Sequence, residues 1–326
     1  MSSPVFESLR GKLALSSMYE DGVATGRANG GDQVFEVVSG NTREATPDVV
    51  INKFWTNEDN KDVVDAFMTN NLCIKAAQGD QDALKAYKHY AVQDYFYLLD
   101  WFKFRVLRLA TVPHNDYNVT QELRDELTSV SQALGDFPEA WRTACLTPED
   151  KGGVGLTEND FQVERTIGEI AYGQFLQNNA REEDWYNLHV ILIGCYWAWS
   201  KLAVQLYNDT NTVKDTTFYN NWIKTNVYVP PGSTTAVMPD WANGLSTFLD
   251  QNADAYKSTM TEEEAQELFR TALRLEVGLF KSAYEDPVKR PVPASAPASG
   301  LPWIPAPGQE RGGSQSRGAW KKLLGL

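Results

Sequence analysis

Apolar residues recur along most of the chain at intervals of three and four, the period of a helix that buries one face. This pattern predicts eight helices, at residues 48–76, 81–111, 118–134, 158–181, 183–208, 215–226, 240–256 and 261–285. Residues suited to helix N-caps stand before several of them, including Asp80, Thr157 and Thr261. No segment alternates apolar and polar residues between hairpin turns, so strands are not required. The predicted fold class is all-α, a helical bundle.

Proline positions divide the chain into parts. Proline lacks the backbone N–H and clashes with the preceding helical turn, so it interrupts helix interiors. Long proline-free stretches cover the predicted helices, whereas seven prolines fall between Pro287 and Pro307. We therefore expect a loosely structured, Gly-, Ser- and Asn-rich arm at 1–45, a helical domain at 46–286 and a basic, Pro-rich tail, expected to be flexible, at 287–326.

Composition argues against several broad classes of protein. The chain has 326 residues, of which 42% are hydrophobic, enough for a sizeable core. Its 30 basic and 43 acidic residues give a net charge of -13, which disfavours a nucleic-acid partner. The sequence predicts no membrane span and no secretion signal, and three cysteines are too few for a disulfide framework. We expect a cytoplasmic location.

Familiar catalytic and metal-binding motifs do not account for the chain. Its three histidines, His89, His114 and His189, form no pair at helical spacing, so a histidine-based metal site is disfavoured and none is predicted. There is no phosphate-binding glycine loop of the usual kinds and no Gly-x-Ser-x-Gly elbow. The chemistry must lie in other residues.

Three polar residues interrupt the apolar stripes of predicted helices: Asp94, Cys195 and Glu276. A buried carboxylate is costly unless it is paired, hydrogen-bonded or protonated, and Asp94 stands among aromatic residues suited to a flat heteroaromatic ligand. A thiol facing an acid/base group could act as a nucleophile. A further stripe includes Tyr172, whose phenol could hydrogen-bond inward. The alternative is a core with structural acids and a small buried cysteine.

Several segments resemble the TenA/thiaminase II family. Residues 90–98, YAVQDYFYL, resemble its Tyr-x-x-Gln-Asp-x-x-Tyr-Leu segment, and residues 195–197 resemble its cysteine segment. Tyr172 lies at the expected distance before the cysteine. Residues 276–284 resemble its C-terminal Glu-x-x-x-[Trp/Phe]-x-x-Ala-Tyr segment, and the whole match covers roughly residues 50–285.

This resemblance implies a helical, haem-oxygenase-like fold that binds no haem and needs no cofactor. It also implies hydrolysis of a small heteroaromatic substrate, an aminopyrimidine from thiamin breakdown, with release of ammonia, or cleavage of thiamin itself. Members of the family are usually tetrameric, so the resemblance implies a homo-oligomer.

The resemblance also implies roles for individual residues. Cys195 would be the nucleophile that adds to the pyrimidine ring, and Glu276 would move protons to and from the ring and the leaving amine. Asp94 would bind the ring nitrogen and amino group. Tyr97 and Tyr172 would shape the pocket.

Two expected substrate-binding positions depart from the family pattern. Trp199 stands where a tyrosine commonly follows the cysteine by four residues, and Asn226 stands where a further pocket tyrosine is expected. The segment at about 112–157 is additional as well. Two alternatives therefore remain open: an enzyme of the same fold acting on a different small molecule, as in specialised metabolism, and a binding protein without turnover.

Overall fold

Helices make up nearly all of the regular structure. The computed structural model describes residues 49–111, 139–182, 185–256 and 261–289, together with positions 124, 127 and 130. Over these residues, extended backbone pairs only in two isolated bridges, Val163 with Lys289 and Tyr228 with Val237. The predicted all-α class is confirmed.

The described helices follow the predicted order. They are α1 (Val49–Trp55), α2 (Lys61–Met68), α3 (Asn71–Ala77), α4 (Gln81–Arg108), α5 (Ile167–Glu182), α6 (Trp185–Ile191), α7 (Trp199–Asn208), α8 (Asp240–Tyr256) and α9 (Glu262–Ser282). Residues 139–146 are also helical. Gly194–Ala198 and Tyr219–Ile223 form π-helical turns. The prediction is closest for α4, α8 and α9.

The single helix predicted at 48–76 is wrong, because asparagine side chains divide it into α1, α2 and α3. The side-chain oxygen of Asn57 accepts a hydrogen bond from the backbone N–H of Asp59 at 2.9 Å. Asn70 does the same for the N–H of Cys73 at 2.9 Å. Each side chain supplies an acceptor that starts a new helical segment.

Two further predicted boundaries also differ. The helix predicted from 158 begins at Ile167, because Thr157 and Asp160 form a capping box on a short 3₁₀ turn instead. The stretch predicted at 215–226 is helical only from 217, as a π turn followed by a 3₁₀ turn. The caps at Asp80 and Thr261 are confirmed, with hydrogen bonds to main-chain N–H groups.

Much of the predicted arm, tail and inserted segment lies outside the described residues, as does most of the helix predicted at 118–134. The described part of the insertion packs on the bundle, since Trp141 Nε1 donates to the carbonyl of Ala91 in α4 at 3.1 Å. At the start of the predicted tail, the carbonyl of Val288 accepts a hydrogen bond from the N–H of Glu164 at 2.7 Å.

One continuous helical stretch, Trp185–Asn208, is long and apolar enough to span a membrane by length and composition. The sequence analysis expected no such stretch. Seventy-two per cent of its most apolar window is buried inside the molecule. The stretch is therefore a core element of the bundle and only weak support for a membrane span.

Helix α5 lies between α4 and α9 and packs against both. The α5–α9 approach is close: a Cβ added to Gly168 would lie 3.0 Å from the carbonyl oxygen of Gly278. Because α5 carries Tyr172 and α9 carries Glu276, this approach brings their side chains together in the core.

A second set of buried acids lies where α4 meets α5, beside a surface groove. Asp100 contacts Arg165 and accepts hydrogen bonds from Lys103 Nζ at 2.9 Å and Gln177 Nε2 at 3.1 Å. Arg165 also pairs with the buried Glu169. Asp100 and Arg165 contribute to the lining of a surface groove of about 970 Å³ along α4. Sequence analysis did not identify this network.

Replacing Gly173 should destabilise the protein because Asp100 occupies the space of a side chain there. A Cβ at Gly173 would lie 2.9 Å from Cγ of Asp100 and 3.1 Å from its Cβ. We expect Gly173→Ala to lower the free energy of unfolding by about 1–3 kcal/mol. Chemical denaturation followed by circular dichroism measures the change.

Gly278→Ala is the matched control, because a Cβ there meets no atom within 4 Å and alanine favours the helix. It should be neutral or stabilising. Equal stability of the two variants would contradict the close approach of Asp100 to α5.

Candidate active site

The carboxyl group of Glu276 lies at the centre of the bundle and joins three helical segments. Glu276 is completely buried in α9. Its Oε1 accepts a hydrogen bond from the hydroxyl of Tyr172 in α5 at 2.7 Å. Its Oε2 accepts one from Nε1 of Trp199, the first residue of α7, at 2.9 Å. Both oxygens are therefore held by neutral donors.

Burial is the main cause that raises the pKa of Glu276 and the charge of Asp94 is a smaller one; the hydrogen bonds from Tyr172 and Trp199 oppose them, and the resulting pKa is about 8. A carboxyl group with such a pKa can both hold and release a proton near neutral pH. This property suits a general acid or base.

Cys195 lies in the π-helical turn immediately before Trp199. The residue as a whole is half-buried, and its thiol donates to the carbonyl of Leu192, with sulfur and oxygen 3.7 Å apart. The preceding residue, Gly194, packs on Glu276, since a Cβ there would lie 3.4 Å from Cγ of the acid. The thiol turn and the carboxyl group are thus direct neighbours.

Two phenols complete the surroundings of the thiol. The rings of Tyr97 and Tyr172 lie with their centroids 4.7 Å apart. Burial raises the pKa of Cys195, and the charge of Glu276 raises it further, whereas the nearby hydroxyl groups of Tyr97 and Tyr172 oppose the rise. The thiol is therefore neutral unless its proton is removed by a nearby base.

Asp94 is buried on the same face of α4 as Tyr97, one turn earlier. Its charge raises the pKa of Glu276 and, after burial, is the next largest cause of the raised pKa of Tyr90. The carboxylate therefore lies within electrostatic range of the Glu276 site.

Asn226 lies further from these groups. It is fully buried, and its side-chain nitrogen donates to the carbonyl of Trp222 at 2.6 Å. The indole of Trp222 contacts that of Trp199, with ring centroids 5.7 Å apart. The structure therefore brings Asn226 next to the wall of the site and anchors it to its own helical turn.

Two aromatic residues that line the site near Glu276, Phe280 and Tyr90, were given no role in the sequence analysis. Phe280, one turn after Glu276 in α9, stacks on Tyr90 at 5.4 Å and lies 6.2 Å from Trp199. Both Phe280 and Tyr90 stand in the matched segments, so the stripe pattern could have identified them as wall residues.

Five of the predicted site residues therefore come together in one buried cluster: Tyr97, Tyr172, Cys195, Trp199 and Glu276. The cluster combines a thiol, a proton-carrying acid and phenols inside aromatic walls, the groups needed for nucleophilic addition to a flat ring. Within the described ranges, no group of three or more His, Cys, Asp or Glu side chains is arranged to hold a metal ion.

Comparison with known proteins gives no relative by sequence, since no family model and no curated protein matches the chain significantly. Solved structures do match. A TenA family transcription regulator from a Silicibacter species is 17% identical, with a TM-score of 0.54, over 72% of this chain and 96% of that one.

Two archaeal proteins give the same result. A TenA homologue from Pyrococcus furiosus is 14% identical with a TM-score of 0.52, over 72% of this chain and 100% of its own. A TenA homologue from P. horikoshii is 16% identical with a TM-score of 0.50, over 72% of this chain and 98% of its own. The resemblance found in the sequence is confirmed at the level of the fold: the chain has the helical, haem-oxygenase-like fold of the TenA proteins.

Proposed function

We propose that this chain is a TenA-type hydrolase that releases ammonia from an aminopyrimidine, with Cys195 as nucleophile and Glu276 as proton carrier. The observation that supports this most directly is the buried carboxyl of Glu276, held by Tyr172 and Trp199 beside the thiol turn. A protein that only needed a stable core would gain nothing from an acid there.

In this proposal the substrate ring lies between the aromatic walls, with its amino group and ring nitrogen directed at Asp94. A carboxylate accepts hydrogen bonds from both an amino group and a protonated ring nitrogen. Aromatic side chains stack on the faces of such a ring. This arrangement would present a ring carbon to Cys195 and leave the aminomethyl group, which carries the departing amine, outside the contact with Asp94.

The first half of the reaction expels the amine of the aminomethyl group. The sulfur of Cys195 adds to a ring carbon, a ring nitrogen gains a proton from Glu276, and Glu276 takes the proton of the thiol. The bond between the exocyclic methylene carbon and its amine then breaks as Glu276 protonates the amine, which leaves as ammonia. The ring nitrogen returns its proton to Glu276, leaving a methylene group double-bonded to the ring, with sulfur still attached to the ring.

The second half adds water and releases sulfur from the ring. Water adds its hydroxyl to the methylene carbon and a proton to the ring nitrogen. The carbon–sulfur bond then breaks, and the proton of the ring nitrogen returns to sulfur. The sum is aminomethylpyrimidine plus water giving hydroxymethylpyrimidine plus ammonia, with Cys195 and Glu276 restored. An acid with a pKa of about 8 is suited to move a proton in each direction at neutral pH.

An enzyme of the same fold acting on another small molecule is the second candidate. Two positions favour it. Trp199 stands where members of the family commonly have a smaller tyrosine, and Asn226, where a further tyrosine is expected, is hydrogen-bonded to the carbonyl of Trp222. Both changes alter the wall of the site and leave the thiol and acid in place.

Replacement of the nucleophile should abolish turnover. We expect Cys195→Ala to lower the rate of ammonia release by about 10³-fold or more, because no other group can form the covalent bond. The assay measures ammonia released from 4-amino-5-aminomethyl-2-methylpyrimidine and from related aminopyrimidines, and pyrimidine released from thiamin.

Cys145→Ala, which removes another buried thiol, is the control and should retain activity. Unchanged turnover in Cys195→Ala would refute the nucleophile. A folded wild-type protein inactive on the whole series would refute the substrate class. Tight binding of these compounds without product, unaffected by Cys195→Ala, would instead identify a binding protein.

Glu276→Gln should lose activity and gain stability at alkaline pH. Folded Glu276 stays protonated up to a pKa of about 8, whereas in the unfolded chain it ionises near the ordinary glutamate pKa of 4.5. Wild-type stability therefore falls as pH rises between these values, by at most about 1.4 kcal/mol per pH unit from this group. Glutamine does not ionise and escapes this loss.

Melting temperatures at pH 4.5, 6 and 8 check this expectation, with the exposed Glu267→Gln in the same helix as control. The advantage of Glu276→Gln over wild type should grow from the lowest pH to the highest. A pH-independent difference would show that Glu276 titrates normally in the folded protein.

A further inference from the structure

The two oxygens of Glu276 are held by donors of different kinds. An indole N–H can only donate, whereas a phenol hydroxyl can donate and accept. Trp199 Nε1 donates to Oε2 at 2.9 Å, and the hydroxyl of Tyr172 meets Oε1 at 2.7 Å. A proton on Oε2 would point at the indole N–H or displace it, but a proton on Oε1 can be received by the phenol oxygen.

We infer that Trp199 is a positioning residue: its indole N–H keeps Oε2 of Glu276 as an acceptor, so that Oε1, the oxygen beside Tyr172, carries the mobile proton. This inference rests on the proposed role of Glu276 as proton carrier and adds the direction of transfer. A tyrosine at this position could donate or accept and would leave both oxygens open to the proton.

This direction of proton transfer, towards Oε1 of Glu276, is the one that deprotonation of the Cys195 thiol requires. Tyr172 and Glu276 both influence the pKa of the Cys195 thiol, and the hydroxyl of Tyr172 donates to Oε1 of Glu276 at 2.7 Å, so the phenol lies near both groups. When the carboxyl group is ionised, Cys195 can pass its proton to the Tyr172 oxygen while Tyr172 passes its own to Oε1. The result is a thiolate beside a neutral acid, with the same number of protons as before.

The indole is well fixed for this task. Trp199 is buried, and its ring lies 5.7 Å from that of Trp222 and 6.2 Å from that of Phe280. These contacts prevent the ring from turning away when the carboxyl group gains or loses a proton. Trp197 provides a matched comparison: it is buried, its Nε1 has no hydrogen-bond partner within the described part of the chain, and its ring packs on that of Trp55 at 5.0 Å.

The test measures the reactivity of Cys195 without any substrate. Iodoacetamide is applied from pH 6 to 10, and labelling of Cys195 is followed by mass spectrometry of its peptide. In the wild type the labelling rate should rise with an inflection near pH 8, where Glu276 ionises. In Trp199→Phe the inflection should move up by about one pH unit, because a donor to the charged form is lost.

Trp199→Tyr retains a donor and should return the inflection towards the wild-type position, and Trp197→Phe should leave it unchanged. An inflection in Trp199→Phe that coincides with that of Trp197→Phe would overturn the inference. Absence of any inflection in the wild type near pH 8 would overturn it too. A shift confined to Trp199→Phe, in a protein that releases no ammonia, would support the positioning role and refute the hydrolase proposal separately.

Discussion

The hydrogen-bonded carboxyl of Glu276 is the interaction on which the rest of the arrangement depends. A buried acid without a cation is tolerated only where donors are fixed on its oxygens. Those donors come from α5 and α7, so the three segments must keep their relative positions for the carboxyl to be satisfied. The close α5–α9 approach and Gly194 make room for this arrangement. The architecture is thus fixed by a polar contact as well as by apolar packing.

The two groups of buried acids show how partners decide the behaviour of a carboxyl group. Asp100 and Glu169 share Arg165, and its charge opposes the effect of burial on the pKa of Glu169. Glu276 has only neutral donors, so burial dominates and its pKa reaches about 8. The first group is suited to structure and the second to proton transfer.

Periodicity predicted α4, α8 and α9 well because each buries a long face and has clear ends, such as the capping box at Thr261. It failed at residues 48–76, where local asparagine bonds outweigh the apolar pattern. The stripes identified Asp94, Cys195 and Glu276, since polar groups inside apolar faces are visible in sequence. The bond from Trp199 to Glu276 was not predictable, because it depends on the distance between helices, and the network around Asp100 depends on a tertiary partner 65 residues away.

The π-helical turn at Gly194–Ala198 makes the count of residues between thiol and indole significant. A π turn has one residue more than an α turn, so everything after it is rotated by about 100° relative to an uninterrupted helix. Loss of one residue there would leave the composition almost unchanged and point the indole away from α9. Divergence in this fold can therefore proceed through helix register. An insertion or deletion inside a helix, more than an exchange of side chains, decides which side chains face the buried site around Glu276.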